Sequence, residues 1–163
     1  MDKHFELTDK FIINAFGAKL FQIKCTRKIK YADIGDLGGY IEKEDNLSGD
    51  AWVSGNAQVY GNARVSGNAW VYGDARVSGN AQVSGNAWVS NNNEHCGFDC
   101  FGSANRHTHS YKTKSGKIEI TCGCFRGSIE EFEKQIKETH RGNEFERQYM
   151  AIVEVIKIKF GLK

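Results

Sequence analysis

Residues 49–90 read GDAWVS-GNAQVY-GNARVS-GNAWVY-GDARVS-GNAQVS-GNAWVS, seven copies of one six-residue unit without a gap. A second period lies inside the first, because Trp52, Trp70 and Trp88 occupy the same position of every third unit. In each unit, valine and alanine alternate with polar or large residues, which is typical of a short strand with one buried face. The Gly-Asn or Gly-Asp pair that opens each unit supplies a turn between strands. Six residues therefore form one side of a triangular coil, and three sides complete a turn.

Imperfect copies of the unit flank this stretch. KEDNLS, at residues 43–48, places Leu47 at the valine position and is expected to begin the coil, whereas NNNEHC, at residues 91–96, places His95 there and is expected to end it. We therefore predict about eight units, slightly under three turns of a parallel β-helix, over residues 43–95. Because the open end of such a coil exposes unpaired backbone, residues 1–42 are predicted to form a β cap, with a strand at 19–25.

The composition changes after residue 101, and residues 96–163 are predicted to form a small ββαα domain. A hairpin is expected from residues 107–113 and 118–125 around Gly116, with Ile118, Ile120, Cys122 and Cys124 on one face of its second strand. Ser128 and Glu131 form a capping box that opens a helix ending at Gly142, and Asn143 opens a second helix. The whole chain is therefore expected to be mainly β, with helices only at its C-terminal end.

Residues eighteen positions apart are expected to lie above one another, so the three tryptophans form a ladder on one side of the coil. A contiguous apolar surface formed by three indole rings is rarely left exposed to solvent on a soluble monomer. Three explanations stay open: packing against further copies of the chain, cover by the chain's own terminal segments, or docking of a ligand or foreign partner. The expected binding or oligomer interface comprises Trp52, Trp70, Trp88, Arg64, Arg76, Tyr60 and Tyr72.

Composition excludes several classes of protein. The net charge of +2 provides no strong basic field, so we expect no direct binding to nucleic acid. We expect no membrane association and no signal peptide, because no apolar run approaches membrane-spanning length and the N-terminus contains acidic residues. Five cysteines, an odd number, indicate free thiols or a metal site in a reducing compartment. The expected location is the cytoplasm.

Cysteine and histidine spacing provides one weak metal candidate. Cys96 and Cys100 have an acceptable knuckle spacing, but Cys122 and Cys124 are only two positions apart on an expected strand. His95, His107, His109 and His140 lie near these cysteines in the sequence. We favour no metal and expect Cys122 and Cys124 to be small core residues beside Ile118 and Ile120.

The repeated GNA-x-V unit resembles that of the hexapeptide-repeat family. This resemblance implies a left-handed β-helix of triangular section whose valines point inward, and trimers that pack through the faces of parallel prisms. Many members are acyltransferases that use a histidine near a subunit interface. The regular repeat here contains no histidine, and His95 is the nearest candidate. We therefore expect no catalytic residue and no cofactor, with acyl transfer kept as the second alternative.

Three features together resemble small proteins encoded in bacteriophages and prophages: the opening FELTDKFIINAFGAKLFQIK with GDLGGYIEKEDNLS, the GNA-x-V repeats, and the tail CGCFRGSIEEFEKQIKETH. This resemblance implies a non-enzymatic interaction protein, expected to be trimeric, acting in the host cytoplasm. The expected partner is a host protein or a nucleotide ligand, as in a counter-defence factor that blocks a CRISPR effector or sequesters a nucleotide signal. A structural or assembly scaffold is the first alternative.

Overall fold

A computed structural model describes residues 3–163 of the chain. The chain forms two compact units, one ending at Asn92 and the other beginning at Asn93. Within the first unit the strands are β1 (Phe5–Ile13), β2 (Lys19–Cys25), β3 (Leu37–Ile41), β4 (Trp52–Val53), β5 (Gln58–Val59), β6 (Arg64–Val65), β7 (Trp70–Val71), β8 (Arg76–Val77), β9 (Gln82–Val83) and β10 (Trp88–Val89). A short 3-10 helix, Glu44–Asn46, lies between β3 and β4.

The repeat folds into a β-solenoid with three sides. On the first side, β4, β7 and β10 pair in parallel, and Trp52, Trp70 and Trp88 are in register. On the second side, β5 pairs with β8, so that Gln58 lies beside Arg76. On the third side, β6 pairs with β9, so that Arg64 lies beside Gln82. The mainly β character and the stacking of residues eighteen positions apart are confirmed.

The alternating pattern of the unit accounts for the core of the solenoid. Alanines and valines of successive units, from Ala51 to Val89, are at most 2% exposed. At the corners, Gly49 has a φ of +67°, and a Cβ there would lie 2.9 Å from the backbone nitrogen of Gly67 in the next turn. Glycine is therefore needed both for the left-handed backbone and for the close approach of stacked corners.

The solenoid begins one unit earlier than the sequence predicts. Tyr40 and Ile41 at the end of β3 already pair in parallel with Gln58 and Val59. Ile41 lies six residues before Leu47, and Gly39 replaces the alanine of the regular unit. A Cβ on Gly39 would lie 2.7 Å from the carbonyl oxygen of Ala57, so this position within β3 requires glycine. The missing alanine hides the unit from a search for the repeat.

The N-terminal strands extend the second side of the solenoid. Strands β1 and β2 form an antiparallel hairpin, and β2 pairs with β3, which gives a five-stranded sheet in the order β1-β2-β3-β5-β8. Strand β2 covers the residues 19–25 predicted from the sequence. Strand β1 was not predicted, because its burial does not follow a simple alternation and its pairing with β2 shifts between Leu7 and Phe11.

In the second unit the strands are β11 (His95–Phe101), β12 (Arg106–Lys112), β13 (Ile118–Cys122) and β14 (Phe125–Ser128), followed by α1 (Ile129–His140) and α2 (Glu144–Phe160). The strands form one antiparallel sheet in chain order. The two-strand prediction is therefore wrong, since four strands precede the helices. Strand β11, HCGFDCF, was not predicted, and none of its residues is buried. Strand β14 follows β13 because Gly123 turns the chain after Cys122 with a φ of +60°.

Both helices begin at the caps that the sequence predicts. The Ser128 hydroxyl accepts a hydrogen bond from the backbone N–H of Glu131, and the Asn143 side chain accepts from Phe145 and Glu146. Helix α1 ends at His140, and Arg141 rather than Gly142 takes the first left-handed position. The helices pack on one face of the sheet and build the core of this unit: Ile120, Ile129, Phe132, Ile136, Tyr149, Ile152, Val153 and Ile156.

Candidate binding surfaces

The tryptophan ladder exists, but residues of the same chain cover it. The Tyr31 ring stacks on Trp70, with centroids 5.0 Å apart and an interplanar angle of 11°. The indole N–H of Trp88 donates a hydrogen bond of 2.9 Å to the Tyr31 hydroxyl. Trp52 is only 2% exposed, and its ring centroid lies 6.2 Å from that of His4. Of the three explanations for the ladder, these contacts favour cover by the N-terminal segment.

Trp70 is in ring contact on both sides. Tyr72 stacks against it with centroids 4.1 Å apart, while Tyr31 stacks at 5.0 Å. The indole N–H donates to the Ser54 hydroxyl. An external partner would have to displace Tyr31 to stack on this indole. The role of the ladder as an oligomer interface therefore stays a prediction.

The seven residues predicted for the interface lie in three places. Trp52, Trp70, Trp88 and Tyr72 form the covered cluster, and Arg64 lies on the third side of the solenoid. Tyr60 and Arg76 line a small pocket near the second side, together with Ile13, Asn14, Phe16 and Gln58. We call this cleft the hairpin-tip pocket, because residues 13–16, at the turn between β1 and β2, form part of its lining.

Large apolar side chains surround the hairpin-tip pocket and remain open to solvent. Phe16 is 79% exposed and Ile13 is 66% exposed. The Phe16 ring lies opposite Tyr60, with centroids 6.4 Å apart and an interplanar angle of 30°. Sequence reasoning missed Ile13 and Phe16. The signal that could have found them is Asn14-Ala-Phe-Gly17, a turn sequence carrying an exposed aromatic residue.

Asn14 holds the turn of the hairpin. Its side-chain oxygen accepts hydrogen bonds from the backbone N–H groups of Phe16 and Ala18. Its side-chain nitrogen is buried and donates to no other atom of the described residues. The Arg76 guanidinium likewise forms no ion pair within residues 3–163. The pocket therefore offers hydrogen-bond donors beside aromatic rings.

The cysteines do not converge on a metal site. All five are free thiols. Cys96 is hydrogen-bonded to the Ser110 hydroxyl at 3.0 Å, and Cys122 accepts a hydrogen bond from Thr108. Cys124 is exposed beyond the end of β13, so its predicted place beside Cys122 on one face is wrong, while Cys122 does lie in the core. Within the described part of the chain, no group of three or more potential ligands is arranged to hold a metal.

Three of the histidines form a chain of hydrogen bonds on β11 and β12. The His107 Nδ1 lies 2.7 Å from the Asp99 carboxylate, His107 Nε2 lies 3.3 Å from His109 Nδ1, and His109 Nε2 lies 3.2 Å from His95 Nδ1. Because a carboxylate only accepts, His107 donates from Nδ1, and neutral rings must repeat that orientation along the chain. Gly97 makes room for this array, since a Cβ there would lie 2.7 Å from His107 Nε2 and from His109 Nδ1.

Burial disfavours protonation of His109, the central ring of this histidine chain. Burial lowers the pKa of His109 well below its usual value, and the neighbouring His95 and His107 lower that pKa further. Burial also raises the pKa of the Cys96 thiol, which favours its neutral form. His140 is not part of the chain, since its ring contacts Phe145 and Tyr149. His109 is thus a buried ring whose neutral form is favoured, hydrogen-bonded between the half-buried rings of His95 and His107.

One comparison with known proteins is informative. The profile of the YdcK β-solenoid repeat matches residues 57–73. That segment is similar to a known solenoid repeat. It runs from Ala57, just before β5, to Gly73, just after β7, and so covers about one turn. Among curated proteins none matches the chain significantly. No helix among the described residues is long and apolar enough to cross a membrane.

Proposed function

We propose that this chain is a non-enzymatic interaction protein that binds its partner at the hairpin-tip pocket. The observation that carries the proposal is the exposure of Phe16 and Ile13 beside Tyr60 and Arg76. Aromatic and arginine side chains next to an apolar surface are the residues that dominate the free energy of binding at protein surfaces. By contrast, the tryptophans of the first side are occupied by contacts within the chain.

The surface around the pocket extends along the hairpin. Phe11 is exposed and lies on the same strand as Ile13, and the Lys19 ammonium group lies 4.0 Å above the Phe11 ring centroid. An apolar surface with cationic groups at its edge suits a partner that presents both flat apolar groups and negative charge. A host protein or a nucleotide meets this description.

The biological setting forms part of the same proposal. The opening and tail strings, which resemble those of phage and prophage proteins, support a phage-encoded factor acting in the host cytoplasm against a defence system. The regular hexads and the eighteen-residue turn support a left-handed solenoid of the hexapeptide type.

Assembly into a trimer is a separate part of the proposal, because the hexad resemblance alone supports it. Light scattering on the purified protein measures the mass directly against the 18.3 kDa of one chain. A mass three times that of the chain supports the trimer. For a trimer, Trp70→Ser tests whether the tryptophan ladder is the interface between the chains. The ladder is that interface only if Trp70→Ser dissociates the trimer and Arg64→Ser leaves it intact.

The binding function is tested by comparing capture with two variants. The tagged protein and its Phe16→Ser and Leu37→Ser variants are incubated with host cytosol, and bound proteins and small molecules are identified by mass spectrometry. Leu37 is a matched control, because it is exposed but does not line the pocket. We expect a bound species that Phe16→Ser loses and Leu37→Ser retains. Capture that is equal for all three proteins contradicts the proposal. Coenzyme A-dependent acyl transfer by the purified protein would also contradict it and would show that the chain is an acyltransferase.

A further inference from the structure

We propose that the hairpin-tip pocket binds a nucleotide, with the base between the rings of Phe16 and Tyr60 and the phosphate on Arg76. This inference rests on the function proposed above and specifies the ligand class of the same site. It depends on three features of the pocket: the spacing of two aromatic rings, an unpaired guanidinium, and a buried amide donor.

The spacing of the two rings is close to that needed to hold a flat aromatic group between them. Their centroids are 6.4 Å apart and their planes are tilted by 30°. A third ring in van der Waals contact with both requires about 7 Å between the outer rings, twice the usual contact distance of about 3.5 Å. Phe16 is 79% exposed at the tip of a hairpin, so its side chain has room to change conformation and take up the parallel arrangement when a base binds. Base stacking on aromatic side chains of this kind is tolerant of base identity.

Two donor groups of the pocket matter for a nucleotide: the Arg76 guanidinium and the Asn14 side-chain nitrogen. The Arg76 guanidinium forms no ion pair with any described residue, and none of the described residues lining the pocket is acidic. A guanidinium binds phosphate oxygens through two parallel hydrogen bonds. The Asn14 side-chain nitrogen is buried and makes no hydrogen bond within residues 3–163. A buried donor left without an acceptor destabilises the folded chain, and a carbonyl or ring nitrogen of a base would supply the acceptor.

Calorimetric titration of the full chain tests the ligand class. The four ribonucleoside 5′-monophosphates are titrated, and the best of them is compared with its nucleoside and with inorganic phosphate. We expect saturable binding of at least one monophosphate at submillimolar concentration. The nucleoside is expected to bind at least tenfold more weakly, because it lacks the contact with Arg76, and inorganic phosphate alone is expected to bind more weakly still because it lacks the stacking.

Substitutions test which residue binds the phosphate of the nucleotide and which binds its base. Arg76→Gln is expected to reduce the affinity for the monophosphate to that for the nucleoside, while leaving nucleoside binding unchanged. Tyr60→Leu is expected to weaken both ligands by roughly tenfold or more through lost stacking. Arg64→Gln is the matched control, because Arg64 occupies the equivalent position of another repeat unit but lies outside this pocket, and its variant should bind like the parent.

The outcomes separate this inference from the proposed function. If no monophosphate binds saturably to the folded protein, or if Arg64→Gln weakens binding as much as Arg76→Gln does, the nucleotide site is wrong. If the nucleotide site fails while capture of a host protein still requires Phe16, the proposed function stands without this ligand. If nucleotide binding does not depend on Tyr60 and capture does not depend on Phe16, both proposals fall.

Discussion

At the scale of single residues, Asn46 shows how one side chain can replace a missing strand. In regular turns, backbone N–H groups donate to the turn above, as Trp52 does to the carbonyl of Ala69. Residues 44–46 form a 3-10 helix instead of a strand. The Asn46 amide fills the gap, because its nitrogen donates to the carbonyls of both Gly61 and Ala63. The third side of the solenoid thereby keeps its hydrogen bonds where the repeat is imperfect.

We expect Asn46→Ala to destabilise the solenoid by about 2–3 kcal/mol, because two carbonyl oxygens lose their buried donor. Urea unfolding followed by tryptophan emission measures this effect, since all three tryptophans lie in the solenoid. Asn62→Ala is the control, because Asn62 is exposed and its side chain donates a long hydrogen bond to Asn80 of the next turn, so the change should stay within about 0.5 kcal/mol. Equal effects of the two substitutions would contradict this account of Asn46.

At the scale of elements, the segment that carries Tyr31 is held against the solenoid by aromatic contacts. The ring stacks on Trp70 and its hydroxyl accepts from Trp88. We expect Tyr31→Ala to open both indoles to water and to increase quenching of tryptophan emission by acrylamide. Tyr31→Phe removes only the hydrogen bond, so its quenching should stay near that of the parent while stability falls by about 1 kcal/mol. Unchanged quenching in Tyr31→Ala would mean that the segment does not cover the ladder in solution.

His109, in the sheet of the second unit, makes the free energy of unfolding sensitive to acid. Because burial lowers the pKa of His109 below its ordinary value of 6.5, the unfolded chain binds this proton at a higher pH than the folded chain does. The stabilising contribution of neutral His109 is therefore complete above about pH 6.5 and is lost as the pH falls towards the folded pKa. One such proton changes the free energy of unfolding by up to about 1.4 kcal/mol per pH unit.

Far-UV circular dichroism at the helical minimum follows this unit, because α1 and α2 both belong to it. Between pH 7 and pH 5, the urea midpoint of the parent is expected to fall. His109→Gln is expected to flatten that dependence, whereas His140→Gln, outside the histidine chain, should retain it. A parent midpoint that does not change with pH would remove the histidine chain as a source of acid sensitivity.

The elements also show what the sequence predicts and what it leaves out. Strict hexads and the caps at Ser128 and Asn143 are local signals, and the corresponding strands and helices form as expected. The hairpin tip and the histidine chain depend on contacts between residues distant in sequence, such as Phe16 with Tyr60 and His95 with His109. Periodicity contains no information on which distant side chains meet, so these sites could not be derived from the repeat.

At the scale of the whole molecule, the chain combines two units built on different principles. The first unit stacks short strands, and each turn contacts only its neighbours, so its stability is close to a sum over turns. The second unit has a single core between a sheet and two helices. The three tryptophans lie before Asn93, so their emission reports on the first unit. Both helices lie after Asn93, so the helical signal reports on the second unit. Each unit can therefore be followed separately in one sample.

We expect Ile156→Ala to lower the urea midpoint of the helical signal while the midpoint of tryptophan emission stays unchanged. Ile156 is fully buried in the core of the second unit, and removing such a side chain costs about 2–5 kcal/mol. Ile158→Ala is the matched control on the same helix, because Ile158 is 77% exposed and its loss should move neither midpoint. If Ile156→Ala lowered the urea midpoints of both tryptophan emission and the helical signal, the two units would unfold as one cooperative body. A buried substitution in either unit would then destabilise the hairpin-tip pocket as well.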